Sequence, residues 1–383
     1  MSSVFSPPRP FIPSPPHPIR IVIPIVAGIG NALLAVPMVR HLKRIRPEAK
    51  ITVLARIGAM GDVFNRLDEV DEVIVTGKGA KGMARMVLSS RRLKPDVYLV
   101  PFPSNRWQYA VLAATSGAKR KILHSYPVGR ARAMHFIGDR IAAVRGIHDV
   151  QQNLNLLRKL GIKPDAPEPP VFCVTDDDRA VAATMLSAAG LPRDANPIVI
   201  HAGSAQTVLA RAKRWPAESY AKLIGAIAQE FGNRVVLVEG PDEAGVAREI
   251  LQSPPIAMGG LSTVVVKLSG PLAHAAALLE RADLYVGSDS GLAHLAAAVG
   301  TRAVTIFAPA DPDRVCPFGN RDLVVQSPTH CAPCMQYPWN ATAPAILCRE
   351  PFCVREVGVD AVMEKVRLAL SPLKVATTMA AAP

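Results

Sequence analysis

Short apolar runs alternate with segments of helical periodicity along most of the chain. The runs predict β-strands at 19–25, 51–54, 97–100, 198–201, 235–238, 284–286 and 304–307. Helical patterns lie at 32–46, 150–160, 216–231, 273–281, 292–299 and 360–370. Alternating strands and helices form parallel sheets covered by helices, and here the alternation runs twice. The sequence therefore predicts an α/β fold with two parallel sheets.

Length and proline content predict the domain organisation. The chain has 383 residues, 49% of them hydrophobic, and a single core stops growing at about 250–300 residues. A Pro-rich polar stretch at 163–170 separates the two alternating runs and puts the boundary within 175–195. We expect a disordered Pro-rich tail at 1–18, an N-terminal domain at 19–185, a C-terminal domain at 186–355, a C-terminal helix at 356–372 and a frayed tail at 373–383.

Residues 21–39 are uncharged and long enough to span a membrane. We interpret them instead as strand, turn and helix, because Pro24, Gly28, Gly30, Asn31 and Pro37 lie among them. The sequence does not begin with an apolar segment followed by a small-residue cleavage site, so we expect a cytoplasmic protein.

Positive charge is concentrated in one segment. The formal net charge is +13, and residues 78–145 contain 14 Lys and Arg against two Asp and Glu. An excess of this size predicts an anionic partner for the N-terminal domain. The segment has no nucleic-acid motif and few aromatic residues for base stacking, so we expect no nucleic-acid partner.

A glycine turn follows the first predicted strand. Gly28 and Gly30 allow a tight turn and bring backbone N–H groups close to a ligand. A dinucleotide fingerprint needs a third glycine where this chain has Leu33, and an acidic residue after the second strand where it has Arg56. Three interpretations remain: an NADP site that uses Arg56, a turn without a ligand, and a turn lining an interdomain cleft.

Candidate anion-binding residues cluster in the C-terminal half. Ser204 and Glu239 follow strand ends, and Lys213 precedes a helix that starts near Pro216. The strongest element is the turn from Asp289 to His294, where a strand passes into a small-residue helix. Its members are Asp289, Ser290, Gly291, Leu292, Ala293 and His294. Free N–H groups at such a helix start favour a bound phosphate.

Together these motifs resemble glycosyltransferase family 9, the family of the ADP-heptose:lipopolysaccharide heptosyltransferases. The resemblance covers about 20–370 and rests on the Gly-Ile-Gly turn, the Lys-Arg-Trp-Pro segment and above all the Asp-Ser-Gly-Leu-Ala-His helix start. It implies a GT-B fold, with two Rossmann-like domains facing a cleft, and an inverting transfer that needs no metal. It further implies that Lys213 and the 289–294 turn hold the diphosphate and sugar of an ADP-heptose-like donor, and Glu239 the nucleoside.

One residue departs from the family pattern. Heptosyltransferases usually have Asp after the glycine turn as the presumed base, and this chain has Asn31. An amide is not a general base near neutral pH. The candidate catalytic residues are therefore Asn31, by its position, and Asp62, as a carboxylate that could replace the usual base. The alternatives are a non-catalytic nucleotide-sugar binder and a GT-B sugar-nucleotide epimerase.

Four cysteines have spacings that a structural zinc site allows. They are Cys331, Cys334, Cys348 and Cys353, and unligated thiols and disulfides are the alternatives. Asp311 and Asp313 have DxD spacing, which is too common a match to predict a catalytic metal.

The basic segment and the resemblance together predict the acceptor. We expect an anionic glycolipid or lipopolysaccharide core at the inner face of the cytoplasmic membrane. The residues predicted to contact acceptor or membrane are Arg91, Arg92, Lys94, Lys119, Arg120 and Lys121.

Overall fold

A computed structural model describes residues 17–128, 130–203, 208–232, 235–240, 243, 245–257, 263–336, 339, 348 and 352–371. Apart from residues 17 and 18, the predicted tails at 1–18 and 373–383 lie outside these ranges. In the described part of the chain, no helix is long and apolar enough to cross a membrane. Residues 21–39 form a strand, a turn and most of a helix, which confirms their interpretation.

The first sheet has six parallel strands in the order β3-β2-β1-β4-β5-β6. The strands are β1 Arg20–Ile25, β2 Lys50–Ala55, β3 Glu72–Val75, β4 Val97–Leu99, β5 Arg120–Ser125 and β6 Asp139–Ala142. The helices of this half are α1 Ile29–Ile45, α2 Gly58–Phe64, α3 Gly79–Leu93, α4 Trp107–Thr115 and α5 Asp149–Leu156. This strand order is that of a Rossmann-like domain.

The second sheet repeats this topology with the order β12-β11-β10-β7-β8-β9, all parallel. Its strands are β7 Ile198–His201, β8 Val235–Glu239, β9 Val264–Lys267, β10 Leu284–Ser288, β11 Ala303–Phe307 and β12 Val324–Gln326. The helices are α6 Asp176–Ala188, α7 Val208–Arg211, α8 Ala217–Phe231, α9 Val246–Leu251, α10 Pro254–Ala257, α11 Leu272–Glu280, α12 Gly291–Ala298, α13 Pro312–Val315 and α14 Val359–Leu370.

Helices cover both faces of each sheet. In the first half, α1, α2 and α5 pack on one face, and α3 and α4 pack on the other. In the second half, α8, α9 and α14 cover one face, and α11 and α12 cover the face turned toward the first half. Buried side chains of α1, α2 and α5 join those of α11 and α12 in one apolar cluster. The two halves therefore share a continuous apolar contact.

Helix α6 contacts both halves. Its N-terminus has a capping box, in which Thr175 accepts from the Asp178 N–H and Asp178 accepts from the Thr175 N–H. Asp178 also binds Arg66 at 2.6 Å in the first half, and Arg179 binds Glu280 at 2.7 Å in the second. The predicted domain boundary between residues 185 and 186 falls inside α6. Because the N-terminal turn of α6 contacts both halves, this boundary stays a prediction.

Candidate active site

Two turns from the two halves meet at the carboxyl edges of the sheets. A Cβ atom on Gly30 would lie 2.6 Å from Cδ2 of His294, and one on Gly291 would lie 3.3 Å from Cβ of Ile29. Contacts under 3.0 Å force a shift of backbone or side chain. Glycine at position 30 therefore allows the start of α1 to approach the start of α12. Ligands of open α/β sheets bind at this edge.

His294 is the side chain between the two turns. It is buried, and its Nδ1 has no hydrogen-bond partner among the described residues. Burial lowers its pKa to about 4; Asp289 raises the pKa, and His148 and Lys213 lower it further. The ring is therefore neutral at pH 7, and it packs against Gly30 without a positive charge to offer a diphosphate. Its predicted contact with the donor stays a prediction.

Lys213 lies beside the predicted donor turn. Its Nζ is 2.5 Å from Oδ2 of Asp289, and both side chains are largely shielded from solvent. Helix α12 begins at Gly291 after Ser290, whose side chain makes no capping bond. The first N–H groups of a helix have no acceptor within it, and the helix dipole adds positive potential there. Lys213 and the start of α12 therefore lie beside the same space. Both favour an anionic ligand there.

A buried hydrogen-bond chain supports this turn from below. His201 Nε2 contacts Glu243 Oε2 at 2.8 Å, and His201 Nδ1 lies 3.3 Å from Ser290 Oγ. Although burial raises the pKa of Glu243, its hydrogen bond and charge interaction with His201 lower it overall. A Cβ on Gly203 would lie 2.0 Å from the Glu243 carboxyl carbon, so any side chain there would displace the Glu243 carboxylate. Glu243 thus fixes His201, which contacts the hydroxyl that begins α12.

Sequence analysis missed the contact of Glu243 with His201, since Glu243 fits a helix start as well. The available signal was that His201 ends β7 and Glu243 follows β8, and these two strands are adjacent and parallel. Glu239 has a local partner too: its Oε1 accepts from the N–H groups of Gly245 at 2.9 Å and Ala247 at 3.1 Å. Ser204 lies outside the described residues.

The two candidate bases lie on different parts of the domain contact. Asn31 is half-buried in the first turn of α1, near α12, and forms no hydrogen bond with a described residue. Asp62 belongs to α2, and its Oδ2 accepts from the Leu272 N–H at 3.4 Å at the start of α11. Asp62 also lines a cavity with Arg66 and Cys173. The structure therefore does not bring Asp62 to the 289–294 turn.

The basic segment divides between two edges of the first sheet. Loops after strands lie at the carboxyl edge, which faces the second half, and segments before strands lie at the amino edge. The six predicted contact residues end α3 or begin β5, and so lie at the amino edge. The carboxyl edge carries a second set, which we call the cleft-edge group: Lys78, Lys81, Arg85, Arg106 and Arg132, all exposed.

One exposed aromatic side chain accompanies the cleft-edge group. Trp107 begins α4 after β4 and is 44% exposed, whereas Phe136, which is 83% exposed, lies just before β6 and so at the amino edge. At the amino edge, by contrast, two of the predicted residues are engaged: Lys119 pairs with Asp96 at 2.8 Å and Arg120 with Asp139 at 2.8 Å. The cleft edge is therefore the more available surface for an anionic, amphipathic molecule.

The four cysteines differ in exposure. Cys353 is buried, Cys334 is half-buried, and Cys331 and Cys348 are exposed. Burial raises the pKa of the Cys353 thiol, and the charges of the other three thiols raise it further. Among the residues that the structure describes, no group of three or more His, Cys, Asp or Glu side chains has an arrangement that could hold a metal ion. The zinc site stays a prediction.

The two Rossmann-like domains and their shared edge define a GT-B glycosyltransferase, as comparisons with known proteins confirm. Residues 103–342 match the family model of glycosyltransferase family 9 (heptosyltransferase), and the chain belongs to this family. It is 27% identical over 289 residues to lipopolysaccharide heptosyltransferase 3 of Escherichia coli (strain K12), covering 74% of this chain and 80% of that protein.

Two solved structures share the fold. A family 9 glycosyltransferase from Veillonella parvula DSM 2008 has a TM-score of 0.71 at 19% identity, covering 92% of this chain and 97% of that one. The E. coli heptosyltransferase WaaC, solved with ADP, has a TM-score of 0.64 at 19% identity, covering 92% and 100%. The predicted family and GT-B fold are thus confirmed.

The contact between Gly30 and His294 makes a prediction about stability. Gly30→Ala should lower the free energy of unfolding by about 1–3 kcal/mol, the usual cost of overpacking, as measured by urea denaturation. Gly28→Ala is the matched control, because a Cβ there meets nothing within 4 Å, and it should cost at most about 1 kcal/mol. Equal losses in the two variants would contradict the proposed close approach.

Proposed function

We propose that this glycosyltransferase moves a heptose-like sugar from a nucleotide diphosphate sugar to an anionic glycolipid acceptor of the lipopolysaccharide-core type. The observation that carries the proposal is the position of Lys213 beside the start of α12, at the edge shared by the two domains. The name of the E. coli relative, a lipopolysaccharide heptosyltransferase, supports the substrate class. The ADP in the WaaC structure supports an ADP-sugar donor.

The donor site is suited to a departing diphosphate. Transfer breaks the bond between the anomeric carbon and the phosphate oxygen, and the leaving group keeps the electron pair. Lys213 and the α12 N–H groups stabilise that developing charge. Asp289 holds Lys213 in place. When the diphosphate binds, the Lys213 ammonium must either leave Asp289 or contact Asp289 and the diphosphate at the same time.

The proposed mechanism is a single inverting displacement without a catalytic metal. The DxD-like pair already has structural partners: Asp311 accepts from the Asp313 N–H at 3.1 Å and caps α13, and Asp313 binds Arg321 at 2.7 Å. Both carboxylates thus have roles that do not involve a metal. We expect transfer to continue in the presence of a chelator.

The cleft-edge group is suited to the acceptor. Its exposed cations match phosphate and carboxylate groups of a glycolipid head, and Trp107 offers apolar contact to its lipid part. Each basic residue near an anionic membrane contributes about 1 kcal/mol, screened over about 8–10 Å. We assign the amino-edge residues Arg91, Arg92 and Lys94 to general attraction toward the inner face of the cytoplasmic membrane.

The direct test is a transfer assay. Purified protein, an ADP-heptose-like donor and a heptose-deficient core glycolipid should give an acceptor whose mass increases by one heptose, with inverted anomeric configuration. Asn31 favours a second candidate, a non-catalytic nucleotide-sugar binder, because its amide takes no proton. Donor binding without mass increase across a panel of acceptors would support that second candidate.

The donor placement predicts the effect of removing the Lys213 charge. Lys213→Ala should weaken nucleotide diphosphate binding by about 1.5–3 kcal/mol, or roughly 10- to 150-fold, because a charge-assisted bond is lost, as measured by calorimetry. Lys222→Ala is the control, since Lys222 pairs with Glu218 on the surface of α8. Unchanged affinity in Lys213→Ala would place the diphosphate elsewhere.

The two basic edges make separable predictions about the acceptor. Changing Lys78, Lys81 and Arg85 to Glu should raise KM for a soluble core oligosaccharide by at least roughly tenfold, since three charge-assisted contacts are reversed. Changing Arg91, Arg92 and Lys94 to Glu alters net charge equally. It should weaken binding to anionic vesicles in low salt and leave that KM within about twofold. Equal effects on KM would contradict the assignment.

We also propose that Cys331, Cys334, Cys348 and Cys353 hold a structural zinc ion. Their spacing supports it. Freshly purified protein should then contain about one zinc per chain by elemental analysis, and Cys334→Ser should lower both zinc content and Tm while donor affinity is retained. Protein purified under reducing conditions without zinc would refute the site.

A further inference from the structure

Asp149 is a buried carboxylate without a hydrogen bond. It is the first residue of α5, its side chain is fully buried, and neither oxygen accepts a hydrogen bond from a described residue. The Nε of Arg314, in α13 of the other domain, lies 3.6 Å from Oδ1. Burying a carboxylate with so few partners is costly. A buried polar group without a hydrogen bond is rare in native structures, and a catalytic role is one of the reasons for which such a group is kept.

Helix packing places Asp149 near Asn31. Helices α1 and α5 both start at the carboxyl edge of the first sheet and pack side by side. One turn into α5, Asn153 Nδ2 donates to the Leu34 carbonyl at 3.0 Å, and Leu34 lies about one turn into α1 beyond Asn31. Asp149 and Asn31 therefore occupy the same level on adjacent helices. That level is where Gly30 meets His294 and where the donor turn begins.

The charges around Asp149 come from three elements. Arg314 and Asp311 belong to α13 and the residue before it, and Asp289 precedes α12. His148 on its own helix start contacts the Cys316 carbonyl at 2.8 Å, and burial lowers the pKa of this histidine. Burial raises the pKa of Asp149 to about 7, opposed by Arg314 and increased by Asp311 and Asp289. The carboxyl group is therefore close to balance between its two protonation states at neutral pH.

The other carboxylates considered for this part of the molecule accept hydrogen bonds, which Asp149 does not. Asp289 binds Lys213, Asp62 binds the Leu272 N–H, Asp311 caps α13 and Glu243 binds His201. We propose that Asp149 is the base that takes the acceptor proton, which rests on the proposed function. A base whose pKa is near the working pH is the most effective one.

The step balances as a single displacement. The acceptor hydroxyl oxygen forms a bond to the anomeric carbon of the donor while the bond from that carbon to the diphosphate oxygen breaks. The diphosphate leaves with the electron pair, held by Lys213 and the start of α12, and the hydroxyl proton passes to Asp149. Arg314 lies against the carboxylate from the opposite domain, so the acceptor hydroxyl reaches Asp149 only when the Arg314 side chain moves aside.

The test compares the pH dependence of transfer in matched variants. Asp149→Asn keeps the side-chain volume and should reduce single-turnover transfer by roughly 100-fold or more, the usual contribution of general-base catalysis. Nucleotide diphosphate affinity should change less than about twofold. Wild-type transfer should fall as pH drops below about 7, because the base becomes protonated, and that dependence should disappear in the variant. The double variant that combines Asn31→Asp with Asp149→Asn should transfer at least roughly tenfold faster than Asp149→Asn alone.

Asp178→Asn is the structural control. Asp178 is also a buried aspartate in the first turn of a helix and pairs with Arg66, so its loss should lower Tm without altering the pH profile. A second variant guards against misfolding of Asp149→Asn: Arg314→Gln removes the cation that lowers the pKa of Asp149 and should shift the profile to higher pH.

Two outcomes would overturn the inference. Transfer by Asp149→Asn within about threefold of wild type, with the same pH profile, would leave Asp149 a structural residue and the proposed function intact. An unchanged pH profile of transfer in Arg314→Gln would also leave Asp149 a structural residue and the proposed function intact. Absence of transfer by the wild-type protein itself would overturn both the role of Asp149 and the proposed function.

Discussion

The close approach of α1 and α12 is the constraint on which the active-site region depends. Glycine at position 30 lets the neutral ring of His294 lie against the first turn of the N-terminal domain. Glycine at position 291 leaves room for Ile29. A continuous apolar cluster lies behind this contact and holds the two carboxyl edges together. Residues from both sheets thereby surround one space, and neither domain alone could surround a donor and an acceptor.

Electrostatics divides that space into two sides. The C-terminal side presents Lys213 and the start of α12, with Asp289 paired to the lysine. The N-terminal side presents the cleft-edge cations, and between them lies the buried pair of Asp149 and Arg314. Positive charge therefore lies on both sides of the space, as the proposed anionic donor and acceptor require, and Asp149 lies where the two domains meet. In the proposed mechanism, the groups that bind charge are thus separate from the group that takes the proton.

The central strands could be predicted from sequence because strands covered on both faces are continuous apolar runs. Strands β5 and β6, the last two at one end of the first sheet, begin with charged residues, Arg120 and Asp139, and were missed for that reason. The 289–294 turn could be predicted because all its residues are adjacent in the chain. Asp149 could not, because its surroundings come from Arg314 and Asp289, far away in sequence. The sequence likewise could not show which edge of the first sheet each basic residue occupies, because that depends on where the strands begin and end.

The placement of the donor is tested most directly by a crystal structure with an ADP-sugar bound. The diphosphate should lie within hydrogen-bond distance of the Gly291 and Leu292 N–H groups and of Lys213 Nζ, with the sugar directed toward α1 and α5. A diphosphate bound instead at the Gly28–Gly30 turn, with Arg56 as its cation, would contradict this account.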